Sequence, residues 1–216
     1  MLNKKFILFD LDGTLTNPYE GITKSVQYSL ASFGIDEKQE NLKRFIGPPL
    51  TWAFKEYYGF NDETTAQAIK KYRERFSEKG IFENDLYEGI PELLDILKKS
   101  GKEIILATSK PIEFSEKIID YFGLTKYFSF MAGSTLKGER DTKAEVIEYA
   151  LNEMNITDLS QAVMIGDREH DIYGAKANNI ESIGILYGFG NREEFEKARA
   201  DYICDTVKEL ENLILR

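Results

Sequence analysis

Short apolar runs recur along the chain and predict the strands of a buried parallel sheet. The first run, 6–9, is apolar throughout and ends at Asp10. A continuous run of this length is typical of a strand that is buried on both faces, as in a parallel sheet. Similar runs follow at 103–108, 128–131, 162–165 and 182–186.

Helical patterns lie between these runs. Apolar side chains share one face of a predicted helix over 91–99, and Gly101 follows it as a stop signal. A second predicted helix covers 143–151, with Thr142 placed as its N-cap. This alternation from about residue 87 to the C-terminus predicts a doubly wound α/β fold with a mainly parallel, Rossmann-like sheet.

A block of helical periodicity interrupts this alternation early in the chain. Ile22, Val26 and Leu30 recur at helical spacing, and so do Ala66, Ile69 and Phe76. We therefore predict an α/β core formed by 1–17 and 86–216, with 18–85 inserted as a separate helical domain.

Composition and charge narrow the class of protein. A hydrophobic fraction of 42% and a charged fraction of 30% are those of a soluble globular protein. The net charge of -9 and the absence of a basic stripe argue against nucleic acid as a partner. The lone Cys204, together with no apparent signal peptide or membrane span, leads us to expect a cytoplasmic protein. Nothing in the sequence indicates an oligomeric state.

Two acidic clusters follow predicted strands. Asp10 and Asp12 come directly after the first strand, and Gly13 allows a sharp turn there. Asp167 follows the strand at 162–165, and Asp171 lies one helical turn later. Either cluster alone has an ordinary explanation, as an acidic turn or as an acidic helix start. Ligands of open α/β sheets bind at the carboxyl ends of strands, so together the clusters suggest a shared Mg²⁺ site.

Two further candidates are weak when taken singly. Thr108 and Ser109 follow another predicted strand, where hydroxyl groups could donate to a phosphate oxygen, although such residues are common at strand ends. Lys143 lies just inside a predicted helix, where most lysines are simply solvated. A functional role for either candidate depends on the acidic clusters.

The order of these four motifs resembles that of the haloacid dehalogenase-like superfamily. Its phosphatases carry Asp-x-Asp-Gly-Thr, then Thr or Ser, then Lys, then Gly-Asp-x-x-x-Asp, and the early helical insertion is similar to the family's cap domain. Here the motifs stand, over nearly the whole chain, as Asp10 to Thr14, Thr108, Lys143 and Gly166 to Asp171.

This resemblance implies a magnesium-dependent phosphatase that works through an aspartyl phosphate. Asp10 would be the nucleophile and Asp12 the general acid and base. Mg²⁺ would be held by Asp10, Asp167 and the backbone carbonyl of Asp12, with Asp171 in the second shell or on a bound water. Thr108, Lys143 and Ser109 would contact the phosphate. His170, the only histidine, is expected to face solvent or to pack locally.

Within the superfamily the chain is most similar to the phosphoglycolate phosphatase and 5′-nucleotidase branch, through 45–50 and Gly188-Phe189-Gly190. The expected substrate is a small phosphorylated metabolite, either a nucleoside monophosphate or phosphoglycolate. Arg44, Lys24 and the loop at Gly47 are candidate specificity residues, or their charges merely solvate helix faces. Likewise Trp52, Phe54, Tyr57 and Tyr58 could stack on a nucleobase or form the core of the helical domain.

Four alternatives remain. A phosphosugar mutase would have a histidine where Ile22 stands, and a dehalogenase would lack Asp12. A sugar-phosphate phosphatase would differ in substrate alone. A non-catalytic binding module would have no need for all of the acidic positions.

Overall fold

The computed structural model describes residues 2–215, which form alternating strands and helices. The strands are β1 (Phe6–Phe9), β2 (Thr16–Asn17), β3 (Asp85–Leu86), β4 (Glu103–Pro111), β5 (Phe128–Ser134), β6 (Ala162–Gly166), β7 (Glu181–Ile185) and β8 (Tyr202–Cys204). The α-helices are α1 (Tyr19–Ala31), α2 (Leu50–Tyr58), α3 (Asp62–Phe76), α4 (Ile90–Lys99), α5 (Ile112–Tyr121), α6 (Lys143–Glu153), α7 (Glu169–Ala177), α8 (Arg192–Ala198) and α9 (Val207–Leu215).

Six of these strands form one parallel sheet in the order β5-β4-β1-β6-β7-β8. Phe9 at the end of β1 pairs with Leu106 of β4 on one side and with Ile165 of β6 on the other. The chain builds outward from β1 to β5 and then crosses back to build outward again through β6 to β8. The winding therefore reverses beside β1, which is where ligands of doubly wound sheets bind.

Both faces of the central strands are buried, which explains why their sequences are apolar throughout. Leu8, Ile105 and Met164 belong to one core cluster that also contains residues of α6 and α7. Ile7 and Phe9, which point to the opposite face, are also fully buried. A strand covered on both sides cannot alternate with polar residues, so the prediction of a doubly wound parallel sheet is confirmed.

Local signals place the ends of two predicted helices correctly. The Thr142 hydroxyl accepts a hydrogen bond from the backbone N–H of Glu145 at 3.3 Å, and the Glu145 carboxylate accepts one from the backbone N–H of Thr142 at 3.0 Å. This capping box starts α6 at Lys143. Helix α4 ends at Lys99, and Gly101 follows with a positive φ of 75°. The predicted N-cap and stop signal are confirmed.

The chain divides into two compact units, one formed by the segments through Asn17 and from Leu86 onward, the other by Pro18–Asp85. Within the second unit, α1 packs against α3 and α2 packs against α3. Gly21 and Gly80 approach closely there, since a methyl group on Gly21 would lie 2.0 Å from the Gly80 carbonyl oxygen. Within this unit, Arg75 of α3 donates two hydrogen bonds to the Glu83 carboxylate, at 2.7 and 2.9 Å.

Several elements carry no clear sequence signal. Strand β8 is three residues long, and strands β4 and β5 run three residues beyond their predicted ends. Strand β7 is shifted by one residue from its prediction, since it covers Glu181–Ile185 and the predicted span is 182–186. In the described part of the chain, no helix has the length and apolar character that crossing a bilayer requires.

Candidate active site

Lys143 contacts residues of three elements at the carboxyl edge of the sheet, namely the end of β1, strand β4 and helix α7. Its ammonium group lies 2.7 Å from Asp10 Oδ1 after β1 and 2.8 Å from Asp171 Oδ1 on α7. It also donates a hydrogen bond of 3.0 Å to the carbonyl oxygen of Ala107 in β4. Burial disfavours the charged amine, but the charges of Asp10 and Asp171 outweigh that effect and raise the pKa of Lys143. A permanent positive charge therefore lies beside the Asp10 carboxylate.

The loop after β1 folds back tightly so that Asp10 and Asp12 can both reach the edge. The backbone N–H of Gly13 donates to the Thr16 carbonyl at 2.7 Å, and the N–H of Thr16 donates to the Leu11 carbonyl at 3.0 Å. Gly13 has φ of 87°, which favours glycine. A methyl group there would also lie 2.0 Å from Asp167 Oδ2, so space excludes any larger residue. The glycine brings the first acidic motif against the second.

Asp12 points its carboxylate at a second lysine. Lys110, near the end of β4, lies with its ammonium 2.5 Å from Asp12 Oδ2. Burial raises the pKa of Asp12, while the charge of Lys110 lowers it and so opposes the effect. No local pattern indicates a role for Lys110, because its partner Asp12 is 98 positions away in the chain.

Asp167 lies at the end of β6 and is fully buried. Its Oδ2 accepts a hydrogen bond of 2.8 Å from the backbone N–H of Phe189, whereas Oδ1 accepts none from the described residues. Burial, followed by the charges of Asp171 and Asp10, raises the pKa of Asp167 well above its ordinary value. A buried carboxylate oxygen without a donor is costly, and a cation would relieve that cost.

Asp171 is held by the first turn of α7. Its Oδ2 accepts a hydrogen bond of 3.1 Å from the backbone N–H of Arg168, and its Oδ1 faces Lys143. A methyl group on Gly166 would lie 2.0 Å from the Asp171 Cγ, so glycine leaves the room that this carboxylate occupies. Burial raises the pKa of Asp171, and the Lys143 charge opposes that shift. Both oxygens of Asp171 are thus already engaged.

The three carboxylates together fit a divalent cation. One oxygen each from Asp10, Asp167 and Asp171 can be chosen so that all three lie within 4.8 Å of one another. Carboxylate oxygens are the ligands that hard divalent cations such as Mg²⁺ prefer, so this cluster could hold such an ion. Asp167 Oδ1, which has no donor among the described residues, is the oxygen that most requires such a partner.

Thr108 and Ser109 end the regular part of β4 next to Ala107, the residue that Lys143 contacts. Thr108 is buried, and its hydroxyl accepts a hydrogen bond of 3.3 Å from the backbone N–H of Lys110. The carbonyl oxygen of Ser109 accepts a hydrogen bond of 2.8 Å from the Ser134 hydroxyl. The Thr-or-Ser motif therefore lies at the same edge as the acidic residues.

A loop after β7 closes over the acidic residues from one side. The Tyr187 hydroxyl donates to the Thr14 carbonyl at 3.1 Å, and the Phe189 N–H holds Asp167. A methyl group on Gly188 would lie 2.3 Å from the Gly13 carbonyl oxygen and 2.4 Å from the Asp167 Cβ. No local pattern predicts these contacts, because Tyr187 and Thr14 are 173 positions apart and Phe189 and Asp167 are 22 apart.

Gly188→Ala is expected to lower activity more than it lowers stability. The added methyl group would push the loop away from Gly13 and Asp167, at a cost of about 1–3 kcal/mol for an overpacked site. We expect a fall in kcat of at least about tenfold, since misplacement of reacting groups by 1 Å can cost 10²-fold. Steady-state kinetics and thermal unfolding of Gly188→Ala and of Gly101→Ala, a glycine with open space around it, would check this. Equal kinetic losses in both variants would contradict it.

The remaining candidates lie outside this cluster. Arg44 and Gly47 belong to the helical unit, where the exposed Arg44 guanidinium lies 4.3 Å from the centre of the Tyr57 ring. Lys24 pairs with Glu20 at 2.6 Å on α1. His170 is exposed on α7, as expected.

Comparisons with known proteins agree with this geometry. The family model described as haloacid dehalogenase-like hydrolase matches residues 7–185. A 5′-nucleotidase of Pseudomonas aeruginosa is 43% identical over 96% of this chain and 94% of its own. The tyrosine-protein kinase PtkA of Mycobacterium tuberculosis is 32% identical over 95% of this chain and 71% of its own length. A phosphoglycolate phosphatase of Colwellia psychrerythraea is 27% identical, over 96% and 95%.

A solved structure is similar over nearly the whole chain. The crystal structure of a predicted phosphatase from Clostridium acetobutylicum has a TM-score of 0.95 and 50% identity, over 98% of both chains. The acidic motifs, the lysine between them and the parallel sheet that positions them therefore occur within a recognised family. The chain belongs to the haloacid dehalogenase-like hydrolases and is a phosphatase, a phosphoric monoester hydrolase, of that family.

Proposed function

We propose that this phosphatase is magnesium-dependent and cleaves a small phosphate monoester through a phosphorylated Asp10. The observation that carries the proposal is the placement of Asp10, with Lys143 at 2.7 Å and with Asp167 and Asp171 in the same carboxylate cluster. A nucleophilic carboxylate beside a lysine and a cation site has what phosphoryl transfer requires, since most of that catalysis is positioning and charge stabilisation.

Asp10 attacks phosphorus in this proposal, and Lys143 stabilises the charge on the phosphoryl oxygens. The Lys143 ammonium is held by two carboxylates and a carbonyl group, so its position needs little reorganisation during the reaction. The Thr108 hydroxyl and the neighbouring Ser109 supply hydrogen-bond donors to the same group. The covalent intermediate is an acyl phosphate on Asp10.

Asp12 acts as the general acid in the first half of the reaction and as the general base in the second half. It protonates the departing oxygen of the substrate, and it then accepts a proton from the water that hydrolyses the acyl phosphate. Burial raises the pKa of Asp12 and the charge of Lys110 opposes that shift, so both of these neighbouring effects act on the group that exchanges the proton. Its carboxylate faces Lys110 and stands apart from the cluster of Asp10, Asp167 and Asp171.

The cation would be held by Asp10, Asp167 and the backbone carbonyl of Asp12. Mg²⁺ bound there would supply positive charge against the phosphate oxygens. Asp171 orients Lys143 and caps the first turn of α7, and both contacts suit a residue outside the innermost ligand shell. The bound cation would give Asp167 Oδ1 the partner that it lacks among the described residues.

A nucleoside monophosphate is the substrate class that the observations favour, with phosphoglycolate second. The relative named 5′-nucleotidase is 43% identical and the one named phosphoglycolate phosphatase is 27% identical. The helical unit exposes 48% of Trp52, and Arg44 lies over the Tyr57 ring. Planar groups of this kind stack on nucleobases. We propose Arg44 and Gly47 as substrate contacts on this basis.

The alternatives within the family are weaker. Position 22, where a mutase would have its histidine, is Ile22, and this side chain is buried in α1. A dehalogenase would have no use for Asp12 and its paired lysine. A sugar-phosphate phosphatase would share every residue of the site, so substrate comparison separates it.

A substrate screen with metal removal tests the proposal. We expect phosphate release from p-nitrophenyl phosphate with Mg²⁺ present and its loss in excess EDTA. Among nucleoside monophosphates, phosphoglycolate and sugar phosphates, we expect the highest kcat/KM for a nucleoside monophosphate. Full activity after removal of divalent cations would overturn the metal requirement, and a preference for sugar phosphates would overturn the substrate class.

A further inference from the structure

The site contains a second buried lysine that the proposed reaction leaves without a task. The Lys110 side chain is 7% exposed and the Asp12 side chain 12% exposed, and they form an ion pair of 2.5 Å. Ion pairs this well buried are costly to desolvate, so stability alone does not explain this one.

Strand β4 departs from regular pairing to place this lysine. Thr108 pairs with Gly133 of β5, and the next paired residue is Pro111 with Ser134, so Ser109 and Lys110 have no counterparts. The bulge is locked by the Ser134 hydroxyl on the Ser109 carbonyl at 2.8 Å. A methyl group on Gly133 would lie 2.7 Å from the Lys110 carbonyl oxygen. Bulges beside active sites re-aim side chains, and this one directs Lys110 at Asp12.

The two lysines contact different carboxylates. Lys143 contacts Asp10 and Asp171, which belong to the cation cluster. Lys110 contacts Asp12, whose carboxylate is outside that cluster. A carboxylate drawn toward Mg²⁺ could not transfer a proton to the substrate. The Lys110 contact keeps Asp12 turned away from the cation site.

We propose that Lys110 is a positioning residue, which holds the Asp12 carboxylate where it can protonate the departing oxygen of the substrate. The inference rests on the proposed function, in which Asp12 is the general acid. When the bond between phosphorus and the leaving oxygen breaks, the protonated Asp12 carboxyl gives its proton to that oxygen and becomes the carboxylate that pairs with Lys110. The water that hydrolyses the acyl phosphate then returns a proton to Asp12. Without Lys110, Asp12 would turn, and the leaving group would depart without its proton.

The dependence of kcat/KM on the leaving group tests this role. Cleavage of an aryl phosphate depends more on protonation of the leaving oxygen as the phenol becomes less acidic. The dependence is greatest for a nucleoside monophosphate, an alkyl ester whose leaving group is an alcohol. For Lys110→Met we expect kcat/KM to fall by less than about tenfold on p-nitrophenyl phosphate. On the nucleoside monophosphate we expect a fall on the order of 10²-fold or more, since general acids contribute 10²–10⁴-fold. Lys110→Arg, which keeps the charge, should recover most of that difference. In the Asp12→Asn background, Lys110→Met should add no loss that depends on the leaving group.

A loss by the same factor on every substrate would overturn the inference, because that pattern indicates phosphate binding or a general structural defect. Lys102→Met is the matched control, since Lys102 lies at the other end of β4 and donates to the Lys4 carbonyl at 2.7 Å. If Lys110→Met does not fold, Lys110→Gln serves for the same comparison. Wild-type activity in Asp10→Asn would refute the proposed function itself. An inactive Asp10→Asn with a uniform loss in Lys110→Met refutes only the role of Lys110.

Discussion

Asp10→Asn is expected to lose phosphatase activity by a factor on the order of 10⁴ or more, the scale on which removal of a nucleophile acts. The amide oxygen of asparagine can still accept from Lys143, so the local geometry is retained. The amide cannot form an acyl phosphate, and the reaction loses its first covalent step. Steady-state kinetics on p-nitrophenyl phosphate with Mg²⁺ would measure the fall in kcat.

Acid quenching with a substrate that carries radiolabelled phosphate measures the acyl-phosphate intermediate directly. Wild-type protein should retain labelled phosphate on the chain, and Asp10→Asn should retain none. Asp95→Asn is the matched control, because Asp95 pairs with Lys99 on α4 at 2.6 Å, away from the site. That variant should keep its activity within about twofold, since exposed pairs contribute little. Labelling of Asp10→Asn at the wild-type level would rule out Asp10 as the nucleophile.

Asp167→Asn is expected to have the second-largest effect, and its two consequences have opposite signs. Asp167 shares its cluster with Asp10 and Asp171, and burial disfavours its charge. Removing that charge relieves repulsion, so the metal-free variant should unfold at a temperature no lower than that of the metal-free wild type. The asparagine can still accept the hydrogen bond from Phe189.

The same variant should lose its response to Mg²⁺. Binding at 100 times Kd stabilises a protein by about 2.7 kcal/mol, which thermal unfolding with and without Mg²⁺ measures directly. We expect that stabilisation in the wild type and little of it in Asp167→Asn. Activity should fall by more than the 10–100-fold that loss of an outer-shell partner costs. An equal rise in unfolding temperature in both proteins would show that Asp167 is not a metal ligand.

Strand ends explain why so much of the site could be predicted. Asp10 and Asp167 each follow a run that is buried on both faces, and the carboxyl ends of parallel strands share one edge. Glycine before or after a carboxylate marks the close approach seen at Gly13 and Gly166. These signals are local, so the sequence carries them without the tertiary structure.

Lys110 illustrates what local signals miss. It follows Thr108 and Ser109 in an ordinary polar tripeptide, and its role depends on a bulge whose lock is Ser134 on the next strand. Tyr187 and Phe189 are similar, since their partners are Thr14 and Asp167. The short edge strand β8 was missed because only two of its three residues are even partly buried.

The sequence by itself determined the doubly wound class and the acidic residues at strand ends, because burial and sharp turns impose patterns on neighbouring positions. Only the tertiary structure decided which charges meet. The pairing of Lys143 with Asp10 and Asp171, and of Lys110 with Asp12, depends on strand order and on one bulge. Coulomb energy depends on distance in space, and separation along the chain does not specify that distance.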